Sequence, residues 1–250
     1  MTAKRIVIVG ATSRLAELCA RLWVAKQTVD LVLVGRNLSK LEVIAADLRV
    51  RSPKSVVSIQ VADFTELLAI QSFVDAICHQ HGSPDIVLIA HGSLPDQQAC
   101  QTDLEQVAEG LNINGLSPVL FAEAFANKMQ NNSKGAIAII GSVAGDRGRK
   151  SNYVYGAAKG LVTRYAQGMQ HRFAGSGVSI VLVKPGPTDT PMTAELKSSG
   201  AKLASADEVA GLIVEGIEQG KLLIYAPKKW ALIMMIIRHL PRFVFNKMNI

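Results

Sequence analysis

The chain has 250 residues, 49% of them apolar, and its 27 lysine and arginine residues exceed its 20 aspartate and glutamate residues to give a net charge of +7. This length and apolar content fit one domain with a large core, and an evenly spread apolar composition excludes intrinsic disorder. The basic excess lies in residues 221–250, which hold six lysines and arginines and no acidic residue. A tail of this kind indicates a local surface attraction and argues against a nucleic-acid-binding domain.

The N-terminal segment runs directly into a strand-like stretch and has no secretory apolar region with a cleavage site, so we expect a cytoplasmic protein. Cys19, Cys78 and Cys100 lack the spacing of metal ligands and suit a reduced interior. We therefore predict no metal site and no disulfide.

The first predicted strand, Lys4–Val9, ends at a glycine and is followed by apolar residues at helical spacing. A strand, a glycine turn and a helix together aim main-chain N–H groups and a helix dipole at a pyrophosphate. The turn residues are therefore predicted to bind a dinucleotide: Gly10, Thr12, Ser13, Arg14 and Leu15.

A second strand, Asp30–Val34, leads into Gly35 and Arg36. A carboxylate near this position binds the ribose hydroxyls of NAD, whereas an arginine suits the 2′-phosphate of NADP. Arg36 therefore predicts that NADP(H) is preferred over NAD(H). The alternative is that Arg36 lies in a solvated loop.

Asp63 and Phe64 follow a third strand, Val56–Val61, and are placed to contact the adenine ring. Strands continue to alternate with helical stretches, which predicts an α/β fold of the Rossmann type with about seven strands in a doubly wound parallel sheet. Ligands bind beyond the carboxyl ends of such strands. Further predicted cofactor residues lie where the fourth strand ends, at Ala90 and Gly92.

Tyr155 and Lys159 are four residues apart and so lie on one face of a predicted helix. An ammonium group beside a phenol lowers the pKa of the phenol, which then exchanges a proton near neutral pH, as the interconversion of carbonyl and alcohol requires. Ser142 follows the apolar run 136–140, where a strand should end, and its hydroxyl is expected to reach the same oxygen.

These motifs, over residues 4–226, resemble the short-chain dehydrogenase/reductase family. The resemblance implies that Asn112, Ser142, Tyr155 and Lys159 are the catalytic residues. It also implies that Tyr155 and Lys159 contact the cofactor. By the same resemblance, Pro185, Gly186 and Thr188 lie in a turn against the nicotinamide. Asn114 is the competing asparagine, and Asn112 is preferred because it stands three residues before Gly115.

Three positions depart from the family pattern. Arg14 and Ala16 stand where the family has its second and third glycines, and His91 replaces an asparagine that braces neighbouring strands. We expect His91 to be a satisfied structural group. The family mechanism implies an NADPH-dependent reductase of a ketone, reversible as alcohol oxidation, in which Ser142 binds the carbonyl oxygen and Tyr155 protonates it.

The segment between the catalytic serine and tyrosine contains Asp146, Arg147, Arg149 and Lys150. One interpretation is a solvated loop in which Asp146 pairs with one of the arginines. The other is that Arg147 or Arg149 binds an anionic group of the substrate, such as a phosphate.

We divide the chain into a domain of residues 1–227 and a basic amphipathic extension of residues 228–250. The apolar run 230–237 is too short to span a bilayer but suits the membrane interface. Trp230, Ile233, Ile236, Ile237 and Leu240 are predicted to share one face. The alternative is that this helix packs on its own domain or on a partner subunit.

The extension and the loop resemble a bacterial branch of the family that includes the reductase of decaprenylphosphoryl-2-keto-pentose and reductases associated with envelope polysaccharides. This implies a lipid-linked keto-sugar or other lipid-like substrate, and the amphipathic extension predicts peripheral contact with the inner face of the cell membrane. Members of the wider family usually associate through the helices that hold Asn112 and Tyr155, which implies a homodimer or homotetramer. The alternatives are a soluble reductase of small ketones or 3-ketoacyl groups, and a catalytically silent dinucleotide-binding partner.

Overall fold

The computed structural model describes residues 3–248 and contains a seven-stranded, wholly parallel sheet with the strand order β3-β2-β1-β4-β5-β6-β7. The strands are β1 Lys4–Val9, β2 Val29–Gly35, β3 Val56–Val61, β4 Ile86–Ile89, β5 Gly135–Ile140, β6 Val178–Pro185 and β7 Leu223–Ala226. The predicted Rossmann-type fold is confirmed. The strand order reverses between β1 and β4, and this reversal opens a crevice at the carboxyl ends of the strands.

The helices lie on both faces of this sheet. They are α1 Arg14–Lys26, α2 Leu38–Arg51, α3 Ile70–His81, α4 Gln97–Thr102, α5 Leu104–Leu111, α6 Ser117–Met129, α7 Tyr153–Arg172, α8 Ala194–Ser198, α9 Ala206–Glu218, α10 Lys229–His239 and α11 Arg242–Phe245. The strands are apolar on both sides because each side packs against helices. In β1, Ile6 and Ile8 join the core under α1, α2 and α9, whereas Val7 and Val9 join the core under α3, α6 and α7.

Most predicted elements differ from the observed ones by one or two residues at their ends, as helix and strand termini usually do. Between β4 and α6 the chain forms two short helices, α4 and α5, because Asp103 caps the second of them with its side chain. A π-helical turn, Asn112–Leu116, then joins α5 to α6.

The C-terminal extension packs on its own domain through one side of α10. Met234 is fully buried, and the ring of Trp230 lies so close to Gly186 that a side chain at that glycine would collide with it. The opposite side of the extension stays exposed, and it includes Ile236, which the periodicity had grouped on one face with Trp230. Within residues 3–248 no helix is both long enough and apolar enough to cross a membrane.

Candidate active site

Gly10 allows the chain to turn sharply between β1 and α1. Its φ is +85°, a value that side chains disfavour, and a Cβ atom there would lie 2.5 Å from the main-chain nitrogen of His91. The nitrogens of Gly10 and Ala11 both donate to the carbonyl of Val34, 2.9 Å away. The turn is thus fixed against the ends of both neighbouring strands.

The N-terminus of α1 has the features of an anion site. Ser13 is the N-cap residue, but its side chain caps none of the free N–H groups of the first turn, and Thr12 beside it is exposed. These groups and the helix dipole therefore remain available to a phosphate. Leu15 is buried and offers only its main chain. Arg14 pairs with Glu17 at 3.1 Å, along the side of the helix.

Arg36 and Asp63 lie at the ends of the two neighbouring strands. Arg36 is exposed, and its side chain makes no hydrogen bond or ion pair within residues 3–248. Asp63 accepts hydrogen bonds from the nitrogen and the hydroxyl of Thr65, at 2.8 and 2.7 Å. These bonds, together with the charge of Arg36, hold the pKa of Asp63 below its usual value. Asp63 is therefore ionised at neutral pH.

The ring of Phe64 faces the core and not the cofactor crevice. It is 4% exposed and stacks on His91, with the ring centroids 4.4 Å apart. The predicted contact of this ring with adenine is therefore wrong, because the space beneath the strand ends is apolar and accepts the ring. His91 Nε2 lies 3.0 Å from the hydroxyl of Ser117, and burial lowers the pKa of His91 to about 3. The imidazole is neutral and lies in the core, but it is only half satisfied, because its buried Nδ1 has no hydrogen-bond partner within residues 3–248.

Ala90 and Gly92 lie on either side of His91. The nitrogen of Ala90 donates to the carbonyl of Val9 at 2.8 Å and so continues the pairing of β4 with β1. A Cβ atom at Gly92 would lie 2.7 Å from Oδ1 of Asn114 and 3.7 Å from Nζ of Lys159. The side chains of Asn114 and Lys159 therefore both lie close to the main chain at Gly92.

Ser142 and Tyr155 come together where β5 ends and α7 begins. The Ser142 oxygen accepts a hydrogen bond from the nitrogen of Ala144 at 3.1 Å, which begins the 3-10 turn Val143–Asp146. Burial raises the pKa of Tyr155 above its usual value, and its interaction with Ser142 opposes that rise. A protonated phenol beside a serine hydroxyl can serve as a general acid.

Lys159 lies one turn after Tyr155 and is 3% exposed. Its Nζ donates to the carbonyl of Ile140 at 3.0 Å and lies 5.8 Å from the centroid of the Tyr155 ring. Burial lowers the pKa of Lys159 to about 8. The sequence predicted a lowered tyrosine pKa, but desolvation is the stronger effect on the phenol in this structure.

The π-helical turn directs Asn114 into the site. Asn114 is fully buried, its Oδ1 accepts from the nitrogen of Ser93 at 2.9 Å, and its Nδ2 donates to the carbonyl of Gly110 at 3.0 Å. Asn112 is only partly buried, and its side chain makes no hydrogen bond in the described part of the chain. The geometry around Lys159 thus involves the asparagine to which the sequence gave second place. A π turn often marks a functional site, but its extra residue is hard to predict from periodicity.

The turn after β6 lies on the other side of the crevice. The nitrogen of Gly186 donates to the carbonyl of Ala226 at 2.9 Å, and the buried hydroxyl of Thr188 donates to the carbonyl of Gly186 at 2.8 Å. The Thr188 side chain therefore holds the turn in shape. Pro185 ends the strand that leads into this turn.

The charged loop does not present Arg147 to the crevice. The Arg147 Nη1 donates to the carbonyls of Ile237 and Leu240, at 2.5 and 2.8 Å, and its guanidinium lies 3.7 Å from the centroid of the Phe245 ring. The predicted substrate role of Arg147 is therefore replaced by a structural one. A guanidinium suits the free carbonyls at the end of a helix. Arg149 is partly buried against the sulfur of Met234, 3.6 Å away.

Asp146 pairs with Lys184 and not with an arginine of its loop. It also accepts a hydrogen bond from the hydroxyl of Tyr225 at 2.8 Å. These two partners of Asp146 were not predicted from the sequence. The available signal was a lysine within the otherwise apolar strand β6, since buried lysines are almost always paired.

Comparison with known proteins agrees with this geometry. The family model described as short chain dehydrogenase matches residues 4–200. An uncharacterized oxidoreductase of Mycobacterium tuberculosis is 30% identical over 248 residues, which cover 98% of this chain and 97% of the relative. An uncharacterized oxidoreductase of Staphylococcus epidermidis is 30% identical over 216 residues, which cover 86% of this chain and 91% of the relative.

Two solved structures share the fold. A short-chain dehydrogenase from Sphingobium yanoikuyae in complex with NADPH superposes with a TM-score of 0.82 at 23% identity, covering 98% of this chain and 96% of its own. Levodione reductase superposes with a TM-score of 0.82 at 21% identity, covering 92% and 99%. The family match and the M. tuberculosis relative together show that the chain belongs to the short-chain dehydrogenase family, as an oxidoreductase that acts on CH–OH groups and reduces a carbonyl with NAD(P)H.

Proposed function

We propose that the protein is an NADPH-dependent reductase of a ketone carried on a lipid-linked sugar or another lipid-like molecule, and that the reaction is reversible as alcohol oxidation. The observation that carries the proposal is the meeting of Ser142 and Tyr155 with the buried Lys159 one helical turn away. A reduced nicotinamide dinucleotide supplies hydride when bound. The uncapped helix N-terminus and the glycine turn before it fit the pyrophosphate of such a cofactor.

The chain's own residues stabilise and protonate the oxygen that becomes an alcohol. The hydroxyl of Ser142 donates a hydrogen bond to the carbonyl oxygen, and the phenol of Tyr155 transfers its proton to that oxygen. The raised pKa of Tyr155 keeps the acid protonated at neutral pH. The ammonium of Lys159 stabilises the phenolate that remains after the transfer.

We assign the asparagine role to Asn114 and not to Asn112. Asn114 is buried beside Gly92 and Lys159, with its amide oriented by Ser93 and Gly110. An amide held in this way positions a water that returns a proton to Lys159. The partly buried Asn112 has no comparable support in the described residues.

Preference for NADPH rests on Arg36. Its exposed guanidinium follows the second strand, where a 2′-phosphate would lie, and no partner within residues 3–248 competes for it. A guanidinium binds a phosphate through paired N–H groups, and this geometry makes the contact specific. The solved short-chain dehydrogenase of S. yanoikuyae is itself a complex with NADPH.

A lipid-like substrate is supported by the resemblance to the branch that reduces decaprenylphosphoryl-2-keto-pentose, and by the extension. Arg149 is the remaining candidate for an anionic substrate group. Its Nε atom is buried and has no hydrogen-bond partner in the described residues, and burial lowers its pKa. An anion beside this guanidinium would offset the cost of its desolvation.

The extension offers a surface for an anionic membrane. Large apolar side chains are exposed on it, among them Leu232, Met235, Ile236, Phe243 and Val244. Exposed basic residues border them, among them Lys228, Lys229, Arg238 and Arg242. Apolar groups beside lysines and arginines favour the interface of a bilayer with anionic lipids. We therefore place the protein at the inner face of the cell membrane as a peripheral protein, with residues 228–250 as the contact.

Association into a homodimer or homotetramer is supported by a second exposed apolar surface. Three leucines of this surface are each 38–39% exposed: Leu116 in the π-helical turn, Leu120 in α6 and Leu161 in α7. The helices that carry the catalytic residues would form this interface, as the family resemblance implies.

The two alternative functions would give different results in binding and turnover measurements. A soluble reductase of small ketones or 3-ketoacyl groups would turn over short substrates and ignore vesicles. A silent dinucleotide-binding partner would bind NADPH without oxidising it. We would titrate the full chain with NADPH and NADH by fluorescence, and then follow NADPH oxidation with 2,3-butanedione, an acetoacetyl ester and 2-dodecanone. Oxidation with 2-dodecanone above that with 2,3-butanedione supports the proposal, whereas binding without any turnover supports the silent partner.

A further inference from the structure

A buried group of charges lies outside the catalytic residues, on three adjoining elements. Asp146 ends the 3-10 turn that Ser142 begins, Lys184 lies in β6, and Tyr225 lies opposite Lys184 in β7. We call these three residues the charge cluster. No step of carbonyl reduction uses any of them.

Both carboxylate oxygens of Asp146 are bonded to other members of the charge cluster. A carboxylate oxygen of Asp146 pairs with Nζ of Lys184, and the other accepts the hydroxyl of Tyr225 at 2.8 Å. The side chains of Lys184 and Asp146 are only 3% and 2% exposed. Burial and the hydrogen bond to Asp146 raise the pKa of Tyr225 to about 12, so the phenol remains a donor. A buried ion pair is costly in solvation, and an apolar pair often replaces one without loss of stability.

The charge cluster joins the two turns that border the reacting groups. One turn runs from Ser142 to Asp146, and the other begins at Pro185, directly after Lys184. On its opposite side the first turn touches α7 closely, since a Cβ atom at Gly145 would lie 2.5 Å from the carbonyl oxygen of Lys159. The Ser142 turn is thus held between α7 and β6 by main-chain contact on one side and by a charge on the other.

We propose that Asp146 and Lys184, supported by Tyr225, are positioning residues that fix the Ser142 hydroxyl relative to the Pro185–Thr188 turn. Their effect on the reaction is indirect, through the spacing of the two turns that the charge cluster joins. This inference rests on the proposed carbonyl reduction, because its principal readout is turnover. Activity of the unchanged protein is therefore measured first, and its absence would contradict the proposed function before the charge cluster is tested.

The test separates positioning from stability. Asp146→Asn leaves the Lys184 charge buried and unpaired, and we expect it to lower the unfolding midpoint by about 5–15 °C. The double variant Asp146→Asn/Lys184→Met removes both charges, and its midpoint should return to within about 4 °C of the unchanged protein. We expect its kcat for the best ketone of the panel to remain lower by roughly 10- to 100-fold, because small displacements of reacting groups have effects of this size. Its Kd for NADPH should change less than about threefold.

Tyr225→Phe keeps both charges and removes only one hydrogen bond, so it tests the charge cluster in a protein that folds. We expect kcat to fall about threefold or more while the Kd for NADPH is unchanged. The matched control is Lys26→Met/Glu218→Gln, which removes an exposed ion pair between α1 and α9, 2.8 Å in length, and should leave kcat unchanged. A kcat equal to that of the unchanged protein, in either the double variant or Tyr225→Phe, would overturn the proposal.

Discussion

Arg147 donates a hydrogen bond from Nη1 to the carbonyl oxygen of Leu240, 2.8 Å away, and so links the loop before the catalytic tyrosine to the end of α10. The extension is therefore attached to the domain beside the active site. Its outward side, with Leu232 and Ile236, remains uncovered by any described residue. A surface held in this place would bring a membrane-borne substrate close to the crevice.

The outward side of the extension should determine binding to vesicles. We expect the full chain to pellet with vesicles of 30 mol% phosphatidylglycerol, less so at high salt because salt screens the basic residues. Replacing four exposed apolar residues by serine should reduce pelleting by about tenfold or more: Leu232, Met235, Ile236 and Phe243.

The matched control for vesicle binding carries four serine substitutions at exposed apolar positions outside the extension: Val43, Val50, Leu68 and Leu104. This control should pellet as the unchanged chain does. Equal pelleting of all three proteins, or of none of them, would contradict the membrane contact.

Arg36 should determine the choice of cofactor. Arg36→Glu removes a guanidinium and adds a charge that repels a 2′-phosphate, so we expect the ratio of kcat/KM for NADPH over NADH to fall by about 10- to 100-fold. The loss should appear mainly in the KM for NADPH. Lys54→Glu makes the same charge change at an exposed position before β3 and should leave the ratio unchanged. A ratio unaffected by Arg36→Glu would show that the arginine is only solvated.

Alanine substitution of Asn114 and of Asn112 should have different effects on kcat. Asn114→Ala removes the amide that the main chain of Ser93 and Gly110 holds beside Lys159, and we expect kcat to fall roughly 10- to 100-fold. Asn112→Ala serves as the control and should retain kcat within about twofold. The opposite ranking, with kcat retained in Asn114→Ala and lost in Asn112→Ala, would restore the role that the sequence assigned to Asn112.

The charge of Lys159 should affect how the rate of carbonyl reduction depends on pH. Burial lowers its pKa from 10.5 to about 8, so the ammonium is lost above this pH and the reduction rate should fall as pH rises beyond 8. His91, with its pKa near 3, should add no inflection near 6.5.

Stability gives a second, independent readout of Lys159. Between pH 8 and 10.5 the unfolded chain binds more protons at Lys159 than the folded chain does, so Lys159 makes the free energy of unfolding rise with pH in this window. Lys159→Met should abolish that part of the rise in urea unfolding measured at pH 7.5 and 10.5. An identical rise in both proteins would contradict the lowered pKa.

The sequence predicted the sheet and the approach of Ser142 to Tyr155, because apolar runs, glycine turns and the four-residue spacing are local signals. Phe64 was misplaced because its position after a strand does not reveal which way the ring turns. Asn114 was ranked second because counting from Gly115 assumes a regular helix, whereas a π turn lies there. The partners of Arg147 are 90 or more residues away, and no local pattern contains such contacts.

The most direct test of the account is the turnover of Tyr155→Phe, which removes one hydroxyl and keeps the ring. We expect NADPH to bind with an unchanged Kd and the unfolding midpoint to stay within a few degrees. NADPH oxidation with the best ketone of the panel should fall by ~10²–10⁴-fold, as the loss of a general acid implies. Turnover equal to that of the unchanged protein would contradict the assignment of Tyr155 as the proton donor, and with it the proposed mechanism.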